Sequence, residues 1–305
     1  MISLLILIIS AFLIPGLIAN TKAVLSGRKL RPLFQPFYEI IKLLRKGSVF
    51  GETTSFIFQI APTVYFASIL IAIILVPFGS RGGLISFPSD FILFAYTLAL
   101  GKFFLIIGAM DTGSGFEGMG ANREAFYSFL IEPVFFGVVG SLALIADQPS
   151  FGALYSQLNA FNWSDPSIRW ILAGCASYLL FQLALVENSR VPVDDPKTHL
   201  ELTMIHEVMV LDNSGYDFGI IHIANHLKIA LYGALIAGFF LIPSLPLLAN
   251  CAIYLGVQII YALAIGTIES LTVRHKMARN PLYMLLYSSL AVMFFGVVLM
   301  FVQPV

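Results

Sequence analysis

Ser55-Phe-Ile-Phe-Gln-Ile-Ala-Pro-Thr-Val-Tyr-Phe-Ala-Ser-Ile-Leu-Ile-Ala-Ile-Ile-Leu-Val-Pro-Phe78 runs for 24 residues without a charged side chain. A helix needs about 20 apolar residues to cross a bilayer, so this stretch is long enough to do so. Working outward, seven more apolar runs follow the same pattern: Ile2–Thr21, Phe91–Met110, Phe126–Ile145, Trp170–Val186, Phe218–Ile242, Leu247–Glu269 and Pro281–Phe301. Lipid offers no partner to a free backbone N–H or C=O, so each run is expected to be a helix. The first run lacks a basic leader and a small-residue cleavage site, which predicts a retained anchor and not a signal peptide.

Composition agrees. Of 305 residues, 58% are hydrophobic and only 11% charged, with a mean hydropathy of +0.89. An ordinary soluble domain is about a quarter charged, so a soluble enzyme is excluded. The 27 Phe and 12 Tyr exclude a disordered or collagen-like chain. The expected fold is all-α: a polytopic membrane protein of about eight transmembrane helices, forming one integral membrane domain over residues 1–305.

The 17 basic and 17 acidic residues cancel, but their placement is uneven. With the loops numbered from the amino terminus, odd loops hold Lys22, Arg28, Lys29, Arg31, Lys42, Arg45, Lys46, Arg123, Arg190, Lys197, Arg274, Lys276 and Arg279. Even loops hold only Arg81 and Arg169. By the positive-inside rule the odd loops face the cytoplasm and both termini lie outside, in a multi-pass protein of the cytoplasmic (inner) membrane. Two cytoplasmic loops are long, the first (Lys22–Thr54) and the fifth (Glu187–Asp217). The outer face, with Asp90, Asp147 and Asp165 as its acids, reads as plain loop. Loop 1 contains an amphipathic stretch, Phe34–Leu44, which suits either a helix lying in the lipid interface or one lining the entrance of an internal cavity.

Several familiar motifs fail on inspection. Gly113-Ser114-Gly115-Phe116-Glu117-Gly118 has dinucleotide-loop spacing, but a membrane span and not a strand precedes it, so a tight turn is expected. His206-Glu207 begins a zinc-protease pattern whose second histidine is replaced by Val210. The two cysteines, Cys175 and Cys251, lie in apolar runs without Cys-x-x-Cys spacing, and no metal site is expected. No nucleophile constellation is present, so self-contained catalysis is not expected. Nothing points to nucleic acid as a partner.

The informative residues are charges in or at the membrane. Lys102 lies about 12 Å inside its span, and Glu132 about 13 Å beyond Arg123, at 1.5 Å per residue. His222, His226 and Lys228 enter span 6, while Glu187 and Glu269 close spans 5 and 7. Such groups persist when they face a wet interior or pair with each other, as ion pairs gluing the bundle or as a proton or ion path. The densest segment is Glu187–Glu207. Asp195 before Pro196 suits the start of a helix, which would carry His199, Glu201, His206 and Glu207, with His199, Thr203 and His206 on one face. Carboxylates and imidazoles this close shift one another's pKa and can pass protons.

Glu187, Arg190, Pro192, Asp194, Pro196, Glu201 and Leu202 form a pattern that resembles the NADH dehydrogenase subunit 1 family, the membrane subunits beside the quinone chamber of respiratory complex I, also found in membrane-bound [NiFe] hydrogenases. Three further blocks agree: Gln35–Leu44; Asp111–Ser114 with Gly120–Ala125 and Glu132-Pro133; and Glu269-Ser270 with the basic run to Arg279. Quinone-reducing members carry two acids where this chain has Lys197 and His199. The string from Asp195 to Glu207 is similar to energy-converting hydrogenases of the formate-hydrogenlyase type.

The resemblance implies a cofactor-free subunit that couples a peripheral [NiFe]-hydrogenase-type redox module to proton or sodium translocation. Its partners would be hydrogenase-like large and small subunits, an iron–sulfur protein and antiporter-like membrane subunits, with the [NiFe] centre and iron–sulfur clusters in those partners. The ion path would use Glu187, Arg190, Asp194, His199, Glu201, His206, Glu207, Glu132, Lys102 and Lys228. Docking would use Arg28, Lys29, Arg31, Arg123, Arg274, Lys276 and Arg279. Gln35, Phe37, Tyr38, Glu39 and Lys42 would stand at a cavity or quinone entrance. The alternatives are a quinone-chamber subunit of a complex I-like oxidoreductase and a stand-alone ion antiporter.

Overall fold

The computed structural model describes residues 2–79, 82–146, 150–160, 166–195 and 203–302. Among them the architecture is all-helical, and eight helices are long and apolar enough to cross a membrane. In chain order the helices are α1 (Ile2–Leu25), α2 (Gln35–Leu44), α3 (Phe56–Leu75), α4 (Asp90–Asp111), α5 (Gly115–Ile145), α6 (Phe151–Ala160), α7 (Pro166–Glu187), α8 (His206–Met209), α9 (Gly215–Gly238), α10 (Leu247–Leu271) and α11 (Asn280–Val302). All but α2, α6 and α8 are spans.

The bundle is organised around α9, which packs against α1, α2, α3, α7 and α10. Every residue from Leu227 to Gly238 is buried, as expected of a helix apolar on all sides. Around it, α3 pairs with α4, α5 with α11 and α1 with α10. Small residues set these distances, because apolar lipid gives little hydrophobic drive for helix association and close backbone packing must supply it. On α4, a Cβ added at Gly101 would collide with Ser68 Oγ of α3.

The two ends of the bundle differ. The odd loops meet at one end, where Val49 N–H donates to Ser214 Oγ and Arg274 reaches Asp194 and Thr203. The even loops meet at the other.

Three expectations change. First, α5 begins at Gly115, eleven residues before the expected span. Gly113 takes the tight turn at φ +71°, and the helix then runs for 31 residues, about 46 Å. That exceeds the roughly 30 Å hydrocarbon core, so Glu117, Arg123 and Glu124 sit on a helix and not in a loop.

Second, the even-loop end, expected to be plain loop, is more than that. The short α6 buries Phe151, Leu154, Tyr155 and Leu158 against the bundle, at the i, i+3, i+4, i+7 spacing of a helix face.

Third, no continuous helix runs from Asp195 to Glu207. Residues 203–205 are not helical, and α8 starts only at His206. Asp194 Oδ2 accepts the N–H groups of Ile205 and His206, each at 3.2 Å, and so satisfies free donors at the start of α8. His199, Glu201 and Lys197 lie outside the described residues.

Candidate functional site

The site is built from charges that four helices bring together inside the bundle. Glu187 is the last residue of α7, Lys102 lies in α4, Glu124 near the start of α5, and Lys228 midway along α9. All four are buried. Lys102 Nζ stands 2.6 Å from Glu187 Oε1 and 3.4 Å from Glu124 Oε1, and donates to Ser128 Oγ at 2.8 Å. Lys228 Nζ stands 2.9 Å from Glu187 Oε2 and donates to the Glu187 carbonyl at 2.8 Å. The result is an alternating row, Glu124–Lys102–Glu187–Lys228, with no net charge. Alternation is what makes burial tolerable, because an unpaired ion in low dielectric costs several kcal/mol. Glu124 and Ser128 are one turn apart on α5, and both face Lys102.

Two smaller clusters adjoin this row. Glu269 of α10 receives Lys22 at 2.7 Å and Arg190 at 3.1 Å. Asp194 Oδ1 receives Arg274 at 2.9 Å, and Arg274 also donates to the Thr203 carbonyl. Burial raises the Asp194 pKa, against the opposing pull of Arg274 and the backbone N–H groups. Arg123 donates to the Met204 carbonyl at 2.9 Å. Arg123 and Arg274, expected on a docking surface, are half-buried and hold Asp194, Thr203 and Met204. Their neighbours Lys276 and Arg279 are exposed.

Beside the clusters opens a cavity of about 570 Å³, walled by α1, α2, α9 and the Asn188–Arg190 turn. Its lining carries Arg190, Glu269, Lys22, Glu207 and three histidines, His206, His222 and His226. Tyr65 O–H donates to Asn225 Oδ1 at 2.7 Å, and Asn225 Nδ2 lies 3.2 Å from His206 Nε2. Burial depresses the His206 pKa to about 4, which holds its imidazole neutral.

Helix α2 therefore lines a cavity and is not merely laid on the lipid surface. Gln35, Glu39 and Lys42 face the cavity, and Gln35 Nε2 donates to Glu39 Oε1 at 3.1 Å. Phe37 packs edge-on against Phe12 of α1, with ring centroids 5.0 Å apart, and Tyr38 is exposed. These two anchor or flank the helix and do not line the cavity.

Glu132 shares a recess of about 70 Å³ with Lys102, Glu187 and Tyr232. Unlike the other four, it is exposed on the outer surface of the bundle. Of the expected path residues, Lys102, Glu187, Lys228 and Glu132 thus form one group, while Arg190, His206 and Glu207 belong to the cavity. Asp194 is a structural clamp between them. Sequence reasoning gave no site role to Glu124, Lys22, Tyr65 and Asn225. Glu124 was readable: once α5 is started at Gly115, Glu124 and Ser128 fall on one helix face.

A sequence model of the NADH dehydrogenase family matches residues 4–304. Formate hydrogenlyase subunit 4 of Escherichia coli (strain K12) is 27% identical over 242 residues, covering 79% of this chain and 76% of that protein. Hydrogenase-4 component C of the same strain is 27% identical over 190 residues, covering 62% of this chain and 59% of that protein. An NADH-quinone oxidoreductase subunit from Syntrophobacter fumaroxidans is 25% identical over 220 residues, 68% of this chain and 63% of that protein. The chain thus spans about three-fifths of the last two. A chain from the membrane-bound sulfane sulfur reductase, an archaeal respiratory membrane complex, shares the fold at a TM-score of 0.76, with 18% identity over 96% of this chain and 98% of that one.

Proposed function

The chain belongs to the NADH dehydrogenase family, and from that premise we propose that it is the cofactor-free membrane-anchor and ion-path subunit of an energy-converting complex of the hydrogenase type. The observation that carries this reading is the buried row Glu124–Lys102–Glu187–Lys228 with Glu132 at its side. Ionisable groups within a membrane bundle mark proton or ion pathways by default; each of the four in the row stands within 3.4 Å of a neighbour, and Glu132 shares their recess. The cavity, with Glu207, Glu269 and the three histidines, is the supply end. Glu132 is the exit. A carboxylate exposed on the outside of a membrane bundle is costly unless another polypeptide covers it, so an antiporter-like membrane subunit sits against α4 and α5 and receives the path. Residues His199 and Glu201 keep the coupling role that the resemblance assigns them.

The peripheral redox module docks on the end where the odd loops meet, with Lys276 and Arg279 among its contacts. Large and small hydrogenase-like subunits and an iron–sulfur protein would carry the [NiFe] centre and clusters. The sulfane sulfur reductase shows a different redox chemistry in a complex holding the same membrane fold, so nickel and iron in the co-purified complex identify the module.

The deciding experiment uses inverted membrane vesicles. In Glu187→Gln the redox turnover persists, because no cofactor is touched, while proton or sodium uptake per electron collapses. Unchanged coupling would reduce the row to packing.

A second reading has its own observation. The cavity volume lies in the range of small-molecule pockets, about 300–1,000 Å³, and Gln35, Glu39 and Lys42 stand on it. A quinone-chamber subunit would bind a short-chain quinone there, and Glu39→Ala would weaken that binding. A stand-alone antiporter would purify without soluble subunits.

A further inference from the structure

The cavity and the buried row leave one built feature unused. A second cavity, of about 690 Å³, lies between the C-terminal ends of α1 and α10 and adjoins the first, with Ala19, Lys22, Arg31 and Glu269 lining both. Small side chains of α1, Ala19 and Ala23, form its floor, and the loop Ser26–Arg31 forms its rim. That loop is held at both ends. Gly27, at φ +67°, donates its N–H to Val24 O at 3.1 Å, and Arg28 N–H donates to Ala23 O at 2.8 Å. This Schellman pair ends α1 and turns the chain back. At the far end, Asn20 clamps Arg31 by a reciprocal pair: its Nδ2 donates to the Arg31 carbonyl and its Oδ1 accepts the Arg31 N–H, both at 3.0 Å.

The fixed rim presents Arg28, Lys29 and Arg31, all exposed and in no ion pair among the described residues. The acid in the lining is Glu269, and its charge is already taken by Lys22 and Arg190. Apolar side chains flank the cavity in sequence: Leu25 in its lining, and Val24 of α1 with Leu271 and Val273 at the end of α10, are all more than half exposed. Three unpaired cations at the helix ends, beside exposed apolar side chains of α1 and α10, match an amphiphile with an anionic head.

We propose that this groove binds the phosphodiester headgroup of an anionic membrane phospholipid through Arg28, Lys29 and Arg31, with the acyl chains lying along α1 and α10. A basic pocket between spanning helices, facing the interface, is how membrane proteins hold such headgroups. Arg28, Lys29 and Arg31 thereby serve the lipid, while the redox module uses the rest of that end.

The test uses the full chain, with whatever subunits accompany it, purified in a neutral detergent and stripped of lipid. It is then offered phosphatidylglycerol, phosphatidylcholine or inorganic phosphate, and bound phosphorus is measured after gel filtration. Wild type retains phosphatidylglycerol and neither of the others. The Arg28→Gln/Lys29→Gln/Arg31→Gln variant binds it about a hundredfold more weakly, roughly fivefold per basic residue. Lys276→Gln/Arg279→Gln, which removes two exposed cations elsewhere on the same end, keeps wild-type affinity. The proposal is overturned if the triple variant retains the lipid as wild type does, or if inorganic phosphate is held as tightly as the lipid. It is also overturned if the triple variant keeps the lipid and instead loses its soluble subunits, which would make the loop a protein-docking site.

Discussion

Asp90 and Glu187 are both buried carboxylates in the same bundle, yet they are held by different means. Asp90 is the first residue of α4, at the end of the bundle where the even loops meet. Its Oδ1 accepts the Phe151 N–H at 2.7 Å and its Oδ2 accepts Ser86 Oγ at 3.2 Å. These bonds fix α6 against the bundle, and a backbone donor neither moves nor gives up its proton. Glu187 is held by two ammonium groups, Lys102 and Lys228, on long flexible stems. Lys102 already faces a second carboxylate, Glu124, and Glu132 shares its recess. A carboxylate so placed has partners that can be exchanged. One end of the bundle thus uses a buried acid as a strut, and the other has the parts of a relay.

The sharpest way to break this contrast is to remove a shared cation. Lys102→Met leaves Glu124 without its ammonium and Glu187 with one fewer, and is expected to cost about 3–5 kcal/mol, the usual penalty for stranding a buried charge. Denaturant titration in detergent reads the loss. Combining it with Glu124→Leu should recover part of that cost, because replacing a whole pair with apolar side chains costs less than breaking it.

Next in size, Asp90→Asn should cost about 1–3 kcal/mol through the weakened charge-assisted bond to the Phe151 N–H. It should leave the ion-to-electron ratio intact, whereas Glu187→Gln should abolish that ratio. If both variants, or neither, change it, the distinction between strut and relay is lost.

A pH scan tests the cavity beside the relay. His206 titrates near 4 in the folded chain against 6.5 unfolded, so between those values the unfolded chain binds the proton that the folded one refuses. The contribution is complete above pH 6.5 and is lost as pH falls toward 4. In His206→Gln the stability should fall less steeply across that window, by up to about 1.4 kcal/mol per unit of pKa difference.

The smallest effect tests orientation. With Cys175 and Cys251 replaced by alanine, single cysteines at Ser26 and Ser244, both exposed, are treated with an impermeant thiol reagent on whole cells. Ser244→Cys should label and Ser26→Cys should not. The reverse pattern would invert the membrane orientation.

All eight spans were legible in the sequence, because lipid forces every apolar run of sufficient length to satisfy its own backbone. Their ends were less so. The start of α5 was hidden by glycines that usually break helices, though Gly115, Gly118 and Gly120 all sit within it. Close packing explains one of them: a Cβ at Gly120 would collide with Val208 Cγ1 of α8. Helix α6 carried a readable apolar face, but ten residues are too short to span, and only burial against the bundle gives it a place.

The sequence by itself determined the membrane class, the number of spans, the segregation of basic residues and the presence of charges where lipid should be. Each of these is a local property, fixed by a residue and its near neighbours. Only the tertiary structure decided which charges meet. Lys102 and Glu187 are 85 residues apart, and Lys22 and Glu269 are 247 apart, so nothing in their spacing could pair them. It also decided that Asp194 clamps where a helix was expected to begin, that Arg123 and Arg274 hold Asp194, Thr203 and Met204, and that Glu132 alone of its group looks outward. Those outcomes depend on how the helices rotate about their own axes when small residues let them pack, and that rotation is set by all the contacts of a helix together and not by its sequence alone.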